Sequence, residues 1–131
     1  MAANSPASRA VQDARQALEK VDTDKPAEAL PLLREAVEKL TEAIDESMAA
    51  VVLEEKGTLR AAGTLAGLSE NAVGPRLART EPLAAYASPA GRVTARGVER
   101  ALYDKELGRK PAAAPEQQKP LRFKPRRSGS S

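Results

Sequence analysis

Residues 59–78 read LRAAGTLAGLSENAVGPRLA, and this stretch decides how the chain is interpreted. Two short segments with apolar residues at helical spacing flank its Gly67-Leu68-Ser69 centre. Gly67 is placed to end the first segment, because glycine readily adopts the left-handed conformation found at helix C-termini. Ser69 is a good N-cap for the second segment, and Glu70 is favourable in its first turn. The stretch therefore predicts two short helices joined by a tight turn.

The small and apolar residues of this stretch are spaced as two helices crossing at a steep angle require. Ala62 and Gly63 supply a small crossing point, and Gly67 supplies the turn four residues after Gly63. Val73 and Leu77 lie on one face of the second segment and would anchor it to the first. Over about residues 58–79 the chain resembles the helix-turn-helix family of DNA-binding domains. Within it, SENAVGPRL resembles the recognition helix.

The resemblance implies specific DNA contacts. In that family the residues after the turn reach base edges in the major groove. Asparagine can recognise adenine there, and glutamate can accept a hydrogen bond from cytosine. Carried across by position, the base-contacting residues are Ser69, Glu70, Asn71 and Gly74. Arg76 and Arg79 are expected to reach phosphate or guanine.

Pro75 departs from the family pattern. It lacks the amide that would donate to the Asn71 carbonyl, at a cost of about 3 kcal/mol in a regular helix interior. Either the recognition helix is kinked, or the helix begins at Pro75 and residues 69–74 form a capping turn. In the second case phosphate contact dominates over base readout. The plainer alternative for the whole stretch is two short helices that pack together without contacting DNA.

Charge is distributed unevenly along the chain. Residues 1–55 carry twelve acidic and six basic side chains, and residues 56–131 carry six acidic and fifteen basic ones. Such asymmetry favours a polyanionic partner for the basic half. Gly91-Arg92-Val93 could approach DNA like a small wing. The arginines expected to form a positive face after the second short helix are Arg92, Arg96 and Arg100.

The C-terminal residues 109–131 are rich in proline, glutamine, serine and basic side chains and poor in large apolar ones. Such a segment buries too little surface to offset its chain entropy, so we expect it to be disordered. Its basic side chains would follow phosphates without sequence preference and strengthen binding through counterion release. The residues expected to do so are Lys119, Arg122, Lys124, Arg126 and Arg127.

The N-terminal part predicts a helical hairpin. Ser5-Pro6 starts a helix over about residues 6–21, and a long helix follows over about 26–56. The long helix carries one apolar stripe at steps of three or four residues, namely Leu30, Leu33, Val37, Leu40, Ile44 and Met48. We expect the two helices to bury their stripes against each other in antiparallel fashion. The longer stripe has surface to spare, which suggests a homodimer through this helix.

Several classes of function are disfavoured by composition. The chain has no cysteine and no histidine, and we find no pairing of the remaining groups that suggests a catalytic or metal site. It has two tyrosines, one phenylalanine and no tryptophan, too few aromatic rings for the stacking platforms of single-stranded nucleic-acid binders. No apolar run is long enough to span a bilayer. No cofactor or small-molecule ligand is evident.

The expected protein is all-α and has three parts. Residues 1–56 form a helical hairpin for packing or self-association, residues 57–108 form a helix-turn-helix module with a further helix over about 94–107, and residues 109–131 form a disordered basic tail. The expected function is a bacterial, cytoplasmic and nucleoid-associated transcription regulator that binds duplex DNA. The alternatives are a protein-interaction adaptor that uses the hairpin, and a sequence-neutral nucleoid-associated protein.

Overall fold

The computed structural model describes residues 5–108, which are helical apart from turns and connecting loops. The elements in chain order are α1 Pro6–Glu19, α2 Pro26–Glu54, α3 Leu59–Ala66, α4 Glu70–Leu77, a 3₁₀ turn Ala84–Tyr86, and α5 Ala95–Glu106. The expected all-α class is confirmed for these residues. The predicted basic tail, residues 109–131, lies outside the described part of the chain.

Hydroxyl caps set the starts of three helices, α1, α3 and α5. Ser5 Oγ accepts a hydrogen bond from the Ser8 amide at 3.1 Å, at the start of α1. Thr58 Oγ1 accepts from the Ala61 amide at 2.9 Å, at the start of α3. Thr94 Oγ1 accepts from the Gly97 amide at 3.4 Å, at the start of α5. Each hydroxyl satisfies an amide that has no partner inside its helix.

Helices α1 and α2 meet through alanines. The buried residues of α1 are Ala10, Ala14 and Ala17, and those of the facing part of α2 are Ala29, Ala36 and Ala43. Because alanine is small, two helices with alanines in contact approach closely and gain dispersion contacts between their backbones. Asp13 Oδ2 lies 3.9 Å from Lys39 Nζ at one side of this contact.

The expectation that the large apolar stripe of α2 is buried against α1 is wrong. Leu30, Leu33, Val37, Leu40 and Ile44 remain between 38% and 66% exposed. Ala29, Ala36 and Ala43 each directly precede a stripe residue in the sequence, and it is this row of alanines that faces α1. Only Met48, the last member of the stripe, is buried, and it belongs to the main core that α2 forms with the C-terminal helices.

The C-terminal third of α2 contributes to the main core. Its residues Met48, Ala49, Val52 and Leu53 are buried together with side chains of α3, α4, α5 and the loop between α4 and α5. The fully buried residues of this core include Val73, Leu77, Leu83 and Val93. Helix α2 therefore packs in both the N-terminal hairpin and the C-terminal part of the fold. One of its faces contacts α1, and another contacts the C-terminal helices. No helix among residues 5–108 is long and apolar enough to cross a membrane.

Candidate nucleic-acid interface

The turn between α3 and α4 is closed by a left-handed glycine. Gly67 has φ +77°, a conformation that costs an L-residue with a side chain roughly 1–2 kcal/mol. The Leu68 amide donates to the Gly63 carbonyl at 2.8 Å, and the Gly67 amide donates to the Thr64 carbonyl at 3.2 Å. This pair of hydrogen bonds is the Schellman arrangement, which ends a helix and reverses the chain sharply. It directs the chain from α3 into α4 in three residues.

Helices α3 and α4 approach each other closely at Gly63. A Cβ atom on Gly63 would lie 2.7 Å from Val73 Cγ2 and 3.2 Å from the Leu68 carbonyl oxygen. Val73 and Leu77 of α4 are fully buried at the same side. The close approach therefore depends on a glycine in α3 opposite a branched residue in α4.

An ion pair fixes α4 to α2. Arg76 Nε donates to Asp45 Oδ1 at 2.6 Å, and Arg79 Nη2 lies 3.6 Å from Asp45 Oδ2. The Asp45 side chain is 8% exposed and that of Arg76 is 22% exposed, whereas that of Arg79 is 68% exposed. Arg76, which we expected to reach phosphate or guanine, therefore lies in the contact between α4 and α2. Its guanidinium orients α4, and only Arg79 presents a largely exposed cation there.

Pro75 is accommodated inside α4. The helix begins at Glu70 and continues through Pro75 to Leu77, so the alternative that it begins at Pro75 is wrong. Proline lacks the amide that would donate to the Asn71 carbonyl. Arg92 Nη2 instead lies 3.4 Å from that carbonyl oxygen, a long and therefore weak hydrogen bond. An arginine from the following loop thus partly replaces the donor that proline removes.

The segment Arg92-Val93 packs directly on Gly74. The Val93 amide donates to the Gly74 carbonyl at 3.0 Å. A Cβ atom on Gly74 would lie 2.9 Å from the Val93 carbonyl oxygen and 3.1 Å from Arg92 Nε. Gly74, which we expected at base edges, is buried beneath this segment. The tip of the preceding turn, Pro89 to Gly91, is exposed.

One side of α4 and the turn before it face solvent. The exposed residues there are Ser69, Glu70, Asn71 and Pro75. Glu70 Oε1 lies 3.3 Å from Arg60 Nη2 of α3, in a pair whose side chains are both more than half exposed. The only carboxylate of this surface is therefore balanced by a neighbouring cation. Of the four positions predicted to contact base edges, three are accessible.

The remaining predicted arginines have different surroundings. Arg96 is exposed near the start of α5 and forms no ion pair within residues 5–108. The Arg100 guanidinium carbon lies 5.6 Å from the centre of the Tyr86 ring, within the range of a cation–π interaction. The five predicted tail residues, Lys119, Arg122, Lys124, Arg126 and Arg127, lie outside the described residues.

Tyr86 joins α5 to the loop that follows α4. Its hydroxyl donates to Asp104 Oδ2 at 2.7 Å. Burial of the hydroxyl, then its hydrogen bond to Asp104 and the negative charge of that carboxylate, raise the pKa of Tyr86 to about 12. Ionisation of Tyr86 would place a second negative charge beside the Asp104 carboxylate at a partly buried position, so the folded state favours the neutral phenol.

We expect alkaline pH to destabilise the fold through Tyr86. The folded-state pKa, about 12, is above the usual 10.0, so this stabilisation is complete below pH 10 and is lost as the pH rises towards 12. In a Tyr103→Phe variant Tyr86 is the sole tyrosine. Its phenolate absorbance should titrate with a midpoint near 12, and Asp104→Asn should lower that midpoint. A midpoint near 10 in the folded protein would contradict the role assigned to burial and Asp104.

The burial of Asp45 and the packing of the Arg92-Val93 segment on Gly74 were not predicted from the sequence. At helical spacing Asp45 shares a face with Met48, Ala49 and Val52, and a carboxylate on an apolar helix face is a signal of a buried pair. Gly74 precedes a proline within a helix, and this costly Gly-Pro pair indicates a close backbone approach. Comparison with protein-family models, with curated proteins and with solved structures found no match for this chain.

Proposed function

We propose that the protein binds duplex DNA through α3 and α4, which act as a helix-turn-helix with α4 as the recognition helix. One observation carries the proposal. Val73 and Leu77 anchor one side of α4 in the core, while Ser69, Glu70 and Asn71 at the start of the helix face solvent. Major-groove recognition needs this division, because the anchoring residues and the base-contacting residues must lie on opposite sides of one short helix.

The close crossing and the sharp turn support the same proposal. Gly63 permits the approach of α3 to Val73, and Gly67 provides the left-handed turn. The ion pair of Arg76 with Asp45 adds a fixed orientation of α4 on α2. A recognition helix has to be held rigidly, because a loss of register of one ångström removes bidentate contacts to bases.

Asn71 is the proposed base-contacting residue, and the exposed arginines are the proposed phosphate contacts. Asn71 is exposed in the first turn of α4, and its side chain can pair with adenine through two hydrogen bonds. Arg79 and Arg96 present exposed guanidinium groups after the recognition helix. The tail, with seven basic and one acidic side chain in residues 109–131, adds a sequence-independent contribution.

Among DNA-binding roles we favour a bacterial transcription regulator, with a sequence-neutral nucleoid-associated protein as the second candidate. The accessible Asn71 favours the first, since an architectural protein needs no base-specific contact. A protein-interaction adaptor is the third candidate, and the exposed apolar stripe of α2 is the observation that favours it.

Duplex binding across a salt series tests the proposal. We expect the full chain to bind duplexes at low salt, with affinity falling steeply between about 50 and 200 mM salt. Enrichment from a random duplex pool should yield a preferred sequence that Asn71→Ala relaxes, by about 1–3 kcal/mol at the contacted position. Arg96→Ala should weaken binding to all sequences and reduce the salt slope by about 1.

Matched variants distinguish the candidate functions in this experiment. Arg34→Ala removes an exposed arginine of α2 that pairs with Glu38, and it should leave duplex affinity unchanged. A chain ending at Gly108 should keep the sequence preference and lose part of the salt slope. If the full chain bound no duplex at low salt, the DNA-binding proposal would be wrong and the adaptor would be favoured. A steep salt slope without any sequence preference would favour the nucleoid-associated candidate.

A further inference from the structure

Helix α2 exposes a regular row of large apolar side chains along the part that contacts α1. The row consists of Leu30, Leu33, Val37, Leu40 and Ile44, called the α2 stripe below. Its steps of three, four, three and four residues are the heptad spacing of a helix that packs against another helix. Contiguous exposed apolar surface of this kind marks an interaction site on a monomer.

Helix α1 extends this surface. The pair of Asp13 with Lys39 marks one side of the α1–α2 contact. From the 3.6-residue helical turn, Val11 and Leu18 lie on the side of α1 away from Asp13, and the α2 stripe lies on the side of α2 away from Lys39. Leu18 is 46% exposed. Both helices therefore present their large apolar residues on the same side of the pair.

Charge is segregated from this surface. The structure describes all of α2. At 3.6 residues per turn, the acidic side chains in the same stretch of α2 lie on the half of the helix opposite the stripe. They are Glu28, Glu35, Glu38, Glu42, Asp45 and Glu46. Although residues 1–55 carry a net charge of −6, two such surfaces can therefore meet without bringing these carboxylates together. This favours a second acidic chain over a basic partner, which would be attracted to the opposite half.

We propose that the α2 stripe and Leu18 are the contact surface for a second copy of this chain. The two α2 helices run antiparallel, with Val37 against Leu40 of the second copy and Leu33 against its Ile44. The stripe and Leu18 present roughly 500 Å² of apolar surface per copy, so a symmetric pair buries about 1,000 Å², the least that a specific interface needs. The antiparallel orientation keeps the C-terminal helices of the two copies at opposite ends.

Mass measurement on the full chain without DNA tests this proposal. We expect light scattering and sedimentation equilibrium at micromolar concentration to give twice the 13.9 kDa of one chain. Combining Val37→Glu and Leu40→Glu should raise the dimer dissociation constant on the order of 100-fold or more, because two charges would be buried at the centre of the contact. Combining Val37→Ala and Leu40→Ala, which favours the helix, should raise it about tenfold.

Leu65→Glu is the matched control. Leu65 is 77% exposed on α3, outside the stripe, so the same substitution there should leave the dimer intact. A monomeric full chain at these concentrations would overturn the proposal, as would a dimer that the Val37 and Leu40 variants leave unchanged. Since no DNA enters the measurement, its failure would leave the DNA-binding proposal standing.

Cysteine cross-linking tests the orientation. The chain has no native cysteine, so introduced thiols report on the interface alone. In the antiparallel register Leu30 lies opposite Ser47 of the second copy. A mixture of Leu30→Cys and Ser47→Cys chains should form a heterodimeric disulfide, and neither variant should cross-link efficiently by itself. Efficient self-cross-linking of Leu30→Cys would show a parallel pair and overturn the proposed register.

Discussion

Arg76→Ala should destabilise the protein by about 3 kcal/mol, measured by urea denaturation at neutral pH. The substitution removes the guanidinium that lies 2.6 Å from Asp45 and leaves a carboxylate whose side chain is 8% exposed. Arg79 is 3.6 Å from the same carboxylate, but its side chain is 68% exposed and its attraction is screened by solvent. It would compensate for only part of the loss.

Arg34→Ala provides the control for this prediction. Arg34 is an exposed arginine of α2 in an i,i+4 pair with Glu38, a kind of pair that contributes about 0.3–0.5 kcal/mol. A double variant, Arg76→Met with Asp45→Leu, should be more stable than Arg76→Ala, because no buried charge is then left without its partner. If Arg76→Ala were no more destabilising than Arg34→Ala, the anchoring of α4 by this pair would be wrong.

Gly63→Val should destabilise the protein by about 3 kcal/mol. It should also abolish duplex binding, even at temperatures at which the unsubstituted chain is folded. A Cβ atom at this position would lie 2.7 Å from Val73 Cγ2, and the added methyl groups of valine need still more room. Overpacking of a buried contact costs about 1–3 kcal/mol, and this exceeds the few tenths of a kcal/mol, roughly, that valine gains over glycine in helix propensity. Thermal and urea denaturation followed by circular dichroism measure the loss.

A second-site variant distinguishes the crossing from a general effect on α3. Val73→Ala alone removes buried methyl groups and should destabilise, but in the Gly63→Val chain it should restore part of the stability. Ala61→Val places the same side chain at an exposed position of α3 and should cost less than about 1 kcal/mol. Additive effects of Gly63→Val and Val73→Ala would mean that the two residues do not meet.

Local chemistry explains why the helices themselves were predictable. Ser5, Thr58 and Thr94 accept hydrogen bonds from amides three residues further on, and such caps depend on only a few neighbouring residues. Gly67 ends α3 with positive φ, as its place after an apolar segment indicated. The burial of Val73 and Leu77 on one face of α4 also followed from helical spacing alone.

The candidate site was predictable only in part. Ser69, Glu70 and Asn71 are exposed as a recognition helix requires, but Gly74 is covered by Arg92-Val93 and Arg76 is bound to Asp45. Spacing places Arg76 at the edge of α4, and it does not show which neighbouring helix lies there. Whether the arginine at that position contacts solvent, DNA or a carboxylate depends on Asp45, which lies 31 positions earlier in the chain.

By itself, the sequence determined that the chain is helical and where most helices lie, because caps, glycine turns and apolar periodicity act over a few residues, but it left the start of α4 open. The tertiary structure alone decided which face of α2 is buried. Leu33 and Ala36 belong to two rows that are both apolar and both at heptad spacing, so periodicity does not choose between them. The choice depends on how closely α1 can approach, and the alanines of both helices allow the closer contact, which leaves the leucines on the surface.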